Sequence, residues 1–340
     1  MSEIIKNIIK MAIEGPLSEQ DARTAFTEIM SGRALEGQIA GFLIALKARG
    51  ETVTEIKAAT QIMLEKCRRV NAPSDAIDIV GTGGDGRGTL NISTASALVV
   101  ASCGVTVAKH GNKNISSQSG AADVLGELRI NTYIEPNMVE NCIVKANIGF
   151  MMAPVYHPAV KTVMPARQML GVRTIFNILG PLTNPAKVKF HLIGAYDYTL
   201  LKPMAKTLKH LGSKQAWLVH GNDGIDEISI SGPTRIVQLK QNKIDEFEVT
   251  PNDAGLATHP LSKIIGGSPA QNARELRSLL DGKASAYRDA VLLNSSAALL
   301  VAGRTKTLKE GVKIASEALD TGKTNSTLKL LSNLTAKKLQ

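Results

Sequence analysis

The sequence is poor in aromatic residues and in cysteine. Phe, Trp and Tyr together make up 4% of the 340 residues, so few aromatic faces are available on which nucleobases could stack. The three cysteines, Cys67, Cys103 and Cys142, form no CxxC pair, which argues against a disulfide framework and favours a reducing compartment. There is neither a signal-peptide pattern at the N-terminus nor an apolar run of membrane-spanning length. We therefore expect a cytoplasmic protein with no membrane partner.

The remaining composition is that of a globular protein with a basic surface. Apolar residues make up 44% of the chain and charged residues 21%, and 340 residues can bury the core of one or two domains. The net charge of +10 favours anionic ligands but does not choose among them. Nucleic acid, an acidic membrane and phosphorylated metabolites all fit this charge, and so does a surface of solvated lysines.

The strongest local signal is a glycine-rich loop. An apolar run, Ala76–Val80, leads into the loop Gly81–Gly88, and Asn91–Ser96 then predicts a helix whose cap is built from Asn and hydroxyl residues. Glycines let backbone N–H groups approach a ligand closely, and a helix N-terminus carries partial positive charge. The stretch therefore predicts an anion-binding loop.

A second basic loop follows in register with the first. The predicted strand Val105–Ala108 ends in Lys109 and His110, and a Ser-rich segment comes at 116–120. A Walker P-loop would need Gly-Lys-Ser/Thr at the end of the glycine loop, which Gly81–Gly88 lacks, and a dinucleotide site would need an acidic residue where Lys109 stands. The pattern indicates a phosphorylated ligand other than NAD. The alternative, that the glycines only form tight turns, leaves the second loop unexplained.

The distribution of periodic patterns divides the chain. Residues 1–71 carry apolar positions at helical spacing and no strand pattern, residues 71–75 are typical of a linker, and strands and helices alternate from residue 77. This order predicts an α/β protein with a small N-terminal all-helical domain and a larger α/β domain with a mostly parallel central sheet. We place the helical domain at 1–71, joined by part of 160–185, and the α/β domain at 72–340.

Further strands and helices are predicted within the α/β region. A hairpin is expected from Ile228–Ile230 and Thr234–Leu239 across a Ser-Gly-Pro turn. The other predicted strands are Asn131–Ile134, Gly149–Met152, Lys189–Ala195 and Ala216–His220, and the predicted helices are Asn137–Ala146, Thr199–Leu211, Ala286–Ala302 and Leu308–Leu319.

Charged residues outside the glycine loop suggest two further features. Asp226 and Glu227 follow a predicted strand, and adjacent carboxylates at a strand end suit Mg²⁺, although a solvated acidic turn is the commoner case. His157 follows a buried strand, and Arg167 could clamp a carboxylate with two parallel hydrogen bonds. By spacing alone, a surface salt bridge is the favoured explanation of Arg167.

Taken together, these motifs resemble the anthranilate phosphoribosyltransferase family. The resemblance rests on the Gly-Thr-Gly-Gly-Asp-Gly loop from Gly81, Asn91-Ile92-Ser93-Thr94, Lys109-His110-Gly111-Asn112, and Ser119-Gly120 before Ala122-Asp123, and it covers nearly the whole chain. It implies a fold like that of nucleoside phosphorylases and phosphoribosyltransferases. It also implies transfer of a phosphoribosyl group from phosphoribosyl pyrophosphate (PRPP) to anthranilate in tryptophan biosynthesis.

The resemblance also implies roles for individual residues, together with two Mg²⁺ ions and a homodimer formed through the N-terminal helices. The residues expected to bind PRPP are Gly81, Gly84, Asp85, Thr89, Asn91, Ser93, Thr94, Lys109, Asn112, Ser117 and Ala121. Those expected to bind anthranilate are Gly81, Asn112, His157, Arg167, Gly180 and Pro181. Those expected to hold metal are Ser93, Asp226 and Glu227.

Three points stay open at this stage. His110 is a possible general base, but we favour a structural donor that braces the Lys109 loop. The family pattern has Ser where this chain has Ala121, and Arg where it has Lys113, so PRPP is expected to bind through the remaining donors. The alternative functions are a nucleoside phosphorylase, which needs no metal clamp, and a non-catalytic nucleic-acid-binding relative, which has no use for a carboxylate pair.

Overall fold

A single sheet of seven strands organises the protein, and a computed structural model describes residues 3–112 and 119–336. The strand order is β3-β2-β1-β4-β5-β6-β7, in which β1 to β5 are parallel and the last two strands are antiparallel. The expected α/β fold with a mostly parallel sheet is therefore confirmed. The strands are β1 Ile77–Gly81, β2 Val107–Gly111, β3 Ile148–Met152, β4 Phe190–Gly194, β5 Gln215–Gly221, β6 Thr234–Lys240 and β7 Lys243–Val249.

Helices form the N-terminal region and cover both faces of the sheet. Ser18 begins the second helix by accepting a hydrogen bond from the Asp21 backbone N–H, and Thr52 and Glu55 cap the fourth helix reciprocally. The α-helices of the described residues are α1 Glu3–Glu14, α2 Glu19–Met30, α3 Glu36–Arg49, α4 Val53–Lys66, α5 Ile92–Ser102, α6 Ala121–Glu127, α7 Pro136–Ala146, α8 Ala153–Tyr156, α9 Met164–Leu170, α10 Phe176–Leu179, α11 Leu201–His210, α12 Pro269–Leu280, α13 Ala286–Val301, α14 Leu308–Asp320 and α15 Lys323–Ala336.

The sheet separates two hydrophobic clusters. One face packs against the buried helix α5 and the C-terminal helices, with residues such as Leu98 and Val291 in the cluster. The other face, through Val80 and Ile193, joins the cluster of the N-terminal helices and of residues 163–182. Since α1 to α4 share this second cluster with the sheet, the domain boundaries given above stay a prediction.

Two predicted β elements are wrong. Residues 131–134 are extended and alternately buried, but they pair with no strand; the Asn131 backbone N–H instead donates to Thr335 Oγ1, at 3.2 Å. Residues 228–230 form no hairpin with β6, because the Asn294 side chain takes both the N–H and the carbonyl of Ile228. β6 turns into β7 instead, through Gln241 and Asn242, which both have positive φ.

The connectivity places one crevice at the carboxyl edge of the sheet. From β1 the chain winds outward through β2 to β3 and then returns to the other side of β1 with β4. Ligands of open α/β sheets bind at such a reversal, beyond the carboxyl ends of the strands. Gly81 and Gly194, at the ends of β1 and β4, are register partners at this point. No helix of the described residues is long and apolar enough to cross a membrane.

Candidate active site

The glycines at the reversal make room for an acidic loop. A Cβ on Gly81 would overlap Asp226 Oδ2, and one on Gly194 would overlap the Asp226 backbone oxygen. Neither position can carry a side chain while Asp226 stays where it is. The loop beyond Gly81 also depends on glycine, because four of its residues have φ between +63° and +75°: Gly83, Gly84, Gly86 and Gly88.

Two neighbouring carboxylates lie over this loop. Asp226 Oδ2 accepts the Gly83 backbone N–H at 2.7 Å, and Glu227 Oε1 accepts the Ser93 backbone N–H in the first turn of α5 at 3.1 Å. Removal from water, followed by the nearby Asp85, raises the pKa of Asp226 to about 7. Removal from water and the charge of Asp226 raise the pKa of Glu227 to about 8. The described residues around Asp226 and Glu227 therefore do not supply enough positive charge to balance both carboxylates.

The donor set fits Mg²⁺ held jointly with a substrate. Carboxylate oxygens are the ligands Mg²⁺ prefers, and a cation would relieve the crowding of Asp226 and Glu227. Within the described residues no group of three or more His, Cys, Asp or Glu could hold a metal alone. Mg²⁺ at such a site usually completes its coordination with water and substrate phosphates. Ser93, the third expected ligand, contacts Glu227 through its backbone.

Lys109 brings a cation to the same edge. Its side chain is 2% exposed and its ammonium donates to the carbonyl of Ile79 in β1. Burial lowers the pKa of Lys109, whereas Asp78, Glu227 and Asp226 act in the opposite direction. A lysine in these surroundings supplies a fixed positive charge next to the carboxylate pair.

His110 and His157 form a buried pair behind the loop. Their ring centroids are 5.0 Å apart. His110 Nδ1 lies 2.9 Å from the Gly180 carbonyl, and His157 Nε2 lies 2.9 Å from the Thr183 carbonyl, so each ring donates to a backbone oxygen. Burial lowers the pKa of His110 to about 3 and that of His157 to about 4. Because both rings are neutral and bound to backbone carbonyls, the structure favours His110 as a brace for the Lys109 loop over His110 as a general base. The bond from His110 also brings Gly180, and with it Pro181, next to the site.

Two arginines flank the site differently. Arg167 lies over the Phe176 ring at 5.7 Å and donates to Met164 Sδ, and in the described part of the chain it has no carboxylate partner. Burial lowers its pKa. Arg173 stacks 4.0 Å from the Tyr196 ring and donates to the Gly84 carbonyl, so it braces the glycine loop. No hydrogen bond or ring contact of the described residues joins Arg167 to the sheet edge.

The far side of the glycine loop is held by a segment that does not stand out in the sequence. Thr89 bridges Ile265, and Asn272 Nδ2 donates to Asn91 Oδ1 at 3.0 Å. The Asn91 side chain therefore does not cap α5, contrary to expectation; its own Nδ2 reaches the Ser119 carbonyl. The available signal was local: Ser268 before a proline is a helix start, which places Asn272 in the first turns of α12.

The other residues predicted to bind substrate lie in different surroundings. Asp85 Oδ1 accepts the Arg87 backbone N–H at 3.1 Å, and Thr94 is fully buried, with no partner for its hydroxyl within residues 3–112 and 119–336. Asn112 and Ala121 border one small, mostly apolar cavity of about 10 Å³, too small to hold a water with room to spare. Ser117 and Lys113 lie outside the described residues.

Another cavity of the described residues lies at the opposite edge of the sheet. It has a volume of about 320 Å³ and is lined by Arg69, Lys187 and Lys189 among others, but by none of the predicted site residues. The convergence of acids, lysine and glycine loop therefore marks the carboxyl edge, rather than the roomier cavity, as the candidate active site.

Family models match the two parts of the chain in order. Residues 2–67 match the helical bundle domain of a glycosyl transferase family, and residues 73–325 match the a/b domain of that family. An anthranilate phosphoribosyltransferase of Bradyrhizobium sp. strain BTAi1 is 52% identical over 96% of this chain and 97% of its own length. This chain belongs to the anthranilate phosphoribosyltransferase family.

Solved structures of anthranilate phosphoribosyltransferases agree with this assignment. The enzyme from Thermus thermophilus superposes with a TM-score of 0.92 at 40% identity, covering 97% of this chain and 99% of that one. The enzyme from Saccharomyces cerevisiae in complex with PRPP and Mg superposes with a TM-score of 0.91 at 28% identity, covering 98% and 99%. Membership of the anthranilate phosphoribosyltransferase family favours the transferase over the phosphorylase and the nucleic-acid binder.

Proposed function

We propose that this chain transfers the 5-phosphoribosyl group of PRPP to the amine of anthranilate. The products are N-(5-phosphoribosyl)anthranilate and pyrophosphate. The observation that carries the proposal is the carboxylate pair of Asp226 and Glu227, which lies on the glycine loop and on the first turn of α5, beside the buried Lys109. A pyrophosphate leaving group needs such a combination of fixed cation, backbone donors and metal-ready oxygens.

The geometry of the site supports a separate role for each of its groups in binding PRPP. Mg²⁺, two ions by analogy with the family, would be held by Ser93, Asp226 and Glu227 and would neutralise charge on the leaving pyrophosphate. The Lys109 ammonium and the glycine-loop N–H groups bind the phosphates. The C1–oxygen bond of PRPP breaks with its electron pair leaving on pyrophosphate, the anthranilate nitrogen bonds to C1, and the proton lost by the amine passes to the pyrophosphate or to solvent water.

The acceptor side is supplied by the other predicted residues. Arg167, which has no carboxylate partner within the described residues, binds the anthranilate carboxylate, and Asn112 orients the acceptor between the two substrates. His157, Gly180 and Pro181 line its path. His110 stays neutral and braces the loop, so alignment and leaving-group neutralisation carry most of the rate.

The assembly and the compartment are part of the proposal. The first helix leaves large apolar side chains exposed, among them Ile4 at 52% and Met11 at 43%, which lie two turns apart on one face of α1. Such a face favours a homodimer formed through these helices. In this proposal the linker 71–75 is the hinge by which the helical region closes over the site, and the protein acts in the cytoplasm. Light scattering would measure the dimer: a monomeric mass at working concentration would contradict it.

The decisive experiment follows anthranilate fluorescence after addition of PRPP, with and without Mg²⁺. We expect a decay that needs the metal and that Arg167→Ala abolishes at ordinary anthranilate concentration. Folded protein that binds PRPP but gives no decay would point to another acceptor. Protein that neither reacts nor binds PRPP, but is retained on DNA in a salt-dependent manner, would support the non-catalytic alternative.

A further inference from the structure

One buried charge in the sheet is not explained by any role assigned above. Asp78 lies in the interior of β1, a central strand covered on both faces, and its side chain is fully buried. Strands in such positions are normally apolar throughout, because an ionised carboxylate loses its hydration on burial. A carboxylate at this position therefore has to be held by other groups.

Two hydrogen-bond donors hold the Asp78 carboxylate, and both connect it to the strand that carries Lys109. Asp78 Oδ1 accepts the His110 backbone N–H at 3.1 Å, and Oδ2 accepts Asn184 Nδ2 at 2.7 Å. Asn184 Nδ2 also donates to the Ala108 carbonyl at 2.8 Å. The carboxylate thus fixes the backbone of β2 on both sides of Lys109.

These side-chain bonds take the place of a backbone ladder. β1 pairs with β4 at five consecutive positions, whereas its register with β2 is set at Ile77 and Val107. Beyond that pair, Asp78 binds the N–H of His110, and the Lys109 ammonium binds the carbonyl of Ile79. The ladder to β3 holds β2 along its full length, but toward β1 the side chains of Asp78 and Lys109 join the end of β2 to the strand that leads into the glycine loop.

The same carboxylate also balances the Lys109 charge. The acidic groups facing Lys109 are Asp78 on β1 and the pair Asp226 and Glu227 on the loop after β5. The pair faces the crevice and would be committed to Mg²⁺, whereas Asp78 lies inside the sheet. Asp78 is the acidic neighbour of Lys109 that keeps its charge for the lysine when metal and substrate are bound.

We propose that Asp78 is a positioning residue of the phosphoribosyl-transfer site, which fixes the end of β2 through His110 and Asn184 and holds the Lys109 ammonium where the pyrophosphate group binds. The inference rests on the proposed function, since it assigns Lys109 to the pyrophosphate. Asp78 contacts neither substrate and acts through Lys109.

The test is the isosteric variant Asp78→Asn in the full-length protein. It removes the charge and turns a donor toward Asn184 Nδ2, so Lys109 loses the counter-charge that Asp78 supplies. We expect KM for PRPP, and Kd for magnesium pyrophosphate by calorimetry, to rise at least about tenfold, while KM for anthranilate changes less than about twofold. The matched control is Glu55→Gln, a buried carboxylate far from the site, which should lower the melting temperature and leave all three constants unchanged.

A second variant pair tests whether Asp78 acts through Lys109. On a Lys109→Met background, Asp78→Asn should add less than about twofold to the loss, because the ammonium it serves is gone. Asn184→Ala keeps the charge of Asp78 but removes the Asn184 bonds to Asp78, Ala108 and Ala186, and it should show the same pattern with a smaller rise. This variant keeps the inference testable if Asp78→Asn folds poorly.

The outcomes separate this inference from the proposed function. If the wild-type protein does not use PRPP, the proposed function fails. If the wild type reacts but Asp78→Asn keeps its PRPP constants, or loses turnover with both Michaelis constants unchanged, the positioning role is wrong. The positioning role would also be wrong if the rise in KM for PRPP in the double variant equalled the product of the rises caused by Asp78→Asn and Lys109→Met alone.

Discussion

The N-terminal helices and the carboxyl edge of the sheet differ in how their charged side chains are paired. Glu55, fully buried in the helices, pairs with Arg49 and accepts the backbone N–H groups of Leu17 and Thr52, each at 2.9 Å. Burial alone would raise the pKa of Glu55, but hydrogen bonds from Arg49, Thr52 and Leu17 outweigh it and lower the pKa. This carboxylate has every partner it needs inside the protein.

Charges at the sheet edge lack such partners. Glu227 and Asp226 keep some solvent exposure, whereas Glu55 has none, yet removal from water and the neighbouring carboxylates raise the pKa values of Glu227 and Asp226 to about 8 and about 7. Arg167 lies against Phe176 with no carboxylate in ion-pair range in the described ranges. Burial therefore does not distinguish a structural charge from a functional one. The distinguishing feature is whether the fold itself supplies the opposite charge or leaves it to a ligand.

The largest effect is expected on removal of the acidic pair. Asp226→Asn together with Glu227→Gln should lower kcat/KM at saturating Mg²⁺ by at least about 100-fold, because the metal-binding oxygens are lost. The melting temperature should stay the same or rise, since two crowded like charges disappear. Steady-state kinetics and thermal melts measure both. Glu246→Gln, which removes a surface carboxylate on β7, is the control; wild-type turnover in the double variant would refute the assignment.

The opposite result is expected for Glu55. Glu55→Ala leaves the mostly buried Arg49 without its partner and should lower the free energy of unfolding by about 3 kcal/mol, with kcat of the folded protein unchanged. Because the folded pKa of Glu55 is lowered, its contribution is present above the unfolded pKa and is lost as the pH falls through the folded pKa. Urea unfolding of wild type and variant at several acidic pH values should converge; a constant gap would contradict this account.

Arg167 allows the same comparison to be tested with a positively charged residue. Arg167→Ala should raise KM for anthranilate by about 10- to 100-fold, the range expected for a lost charge-assisted pair, and leave KM for PRPP nearly unchanged. Arg167→Lys keeps the charge without the forked geometry and should recover only part of the loss. Arg277→Ala, whose guanidinium binds the Glu127 carbonyl elsewhere, is the control. Equal increases in both Michaelis constants would assign Arg167 a structural role.

The same contrast explains what could be predicted from the sequence. Local signals are sufficient where one segment determines the result: the glycine loop forms as expected, and the strand expected before Lys109 forms two residues further along, at Val107–Gly111, with Lys109 inside it. The extended segment 131–134 has the burial alternation of a strand, but strand pairing depends on a neighbour that alternation does not encode.

The site residues also fall into those that local sequence predicts and those that depend on distant segments. Asp226 and Glu227 are adjacent in sequence, so their pairing is visible, but the glycine contacts that seat Asp226 at Gly81 and Gly194 come from other strands. The bonds of Asn272 and Asn184 to the site join residues more than one hundred positions apart. Such side-chain contacts leave no periodic pattern in the chain, and only the fold reveals them.

A smaller effect is expected from pH on the metal-free protein. The folded pKa values of Asp226 and Glu227 lie above their unfolded values, so stability from this pair falls as pH rises from about 4 through about 8. Mg²⁺ should therefore raise the melting temperature more at pH 8.5 than at pH 6, by a few degrees at most. The difference between wild type and the Asp226→Asn/Glu227→Gln double variant isolates the pair. A Mg²⁺ shift independent of pH would contradict the raised values.

The smallest effect concerns the departure at Ala121, at the start of α6. Ala121→Ser adds a hydroxyl near Asn112, at the border of the small cavity that both residues line, where it would be available to a phosphate. A hydrogen bond from a hydroxyl to a charged phosphate oxygen corresponds to a fall in KM for PRPP of about tenfold. Ala121→Cys adds an atom of similar position but poor donor strength and should change KM little. If serine and cysteine give the same KM, the missing hydroxyl is not a PRPP contact, and backbone donors and Lys109 already satisfy the phosphate.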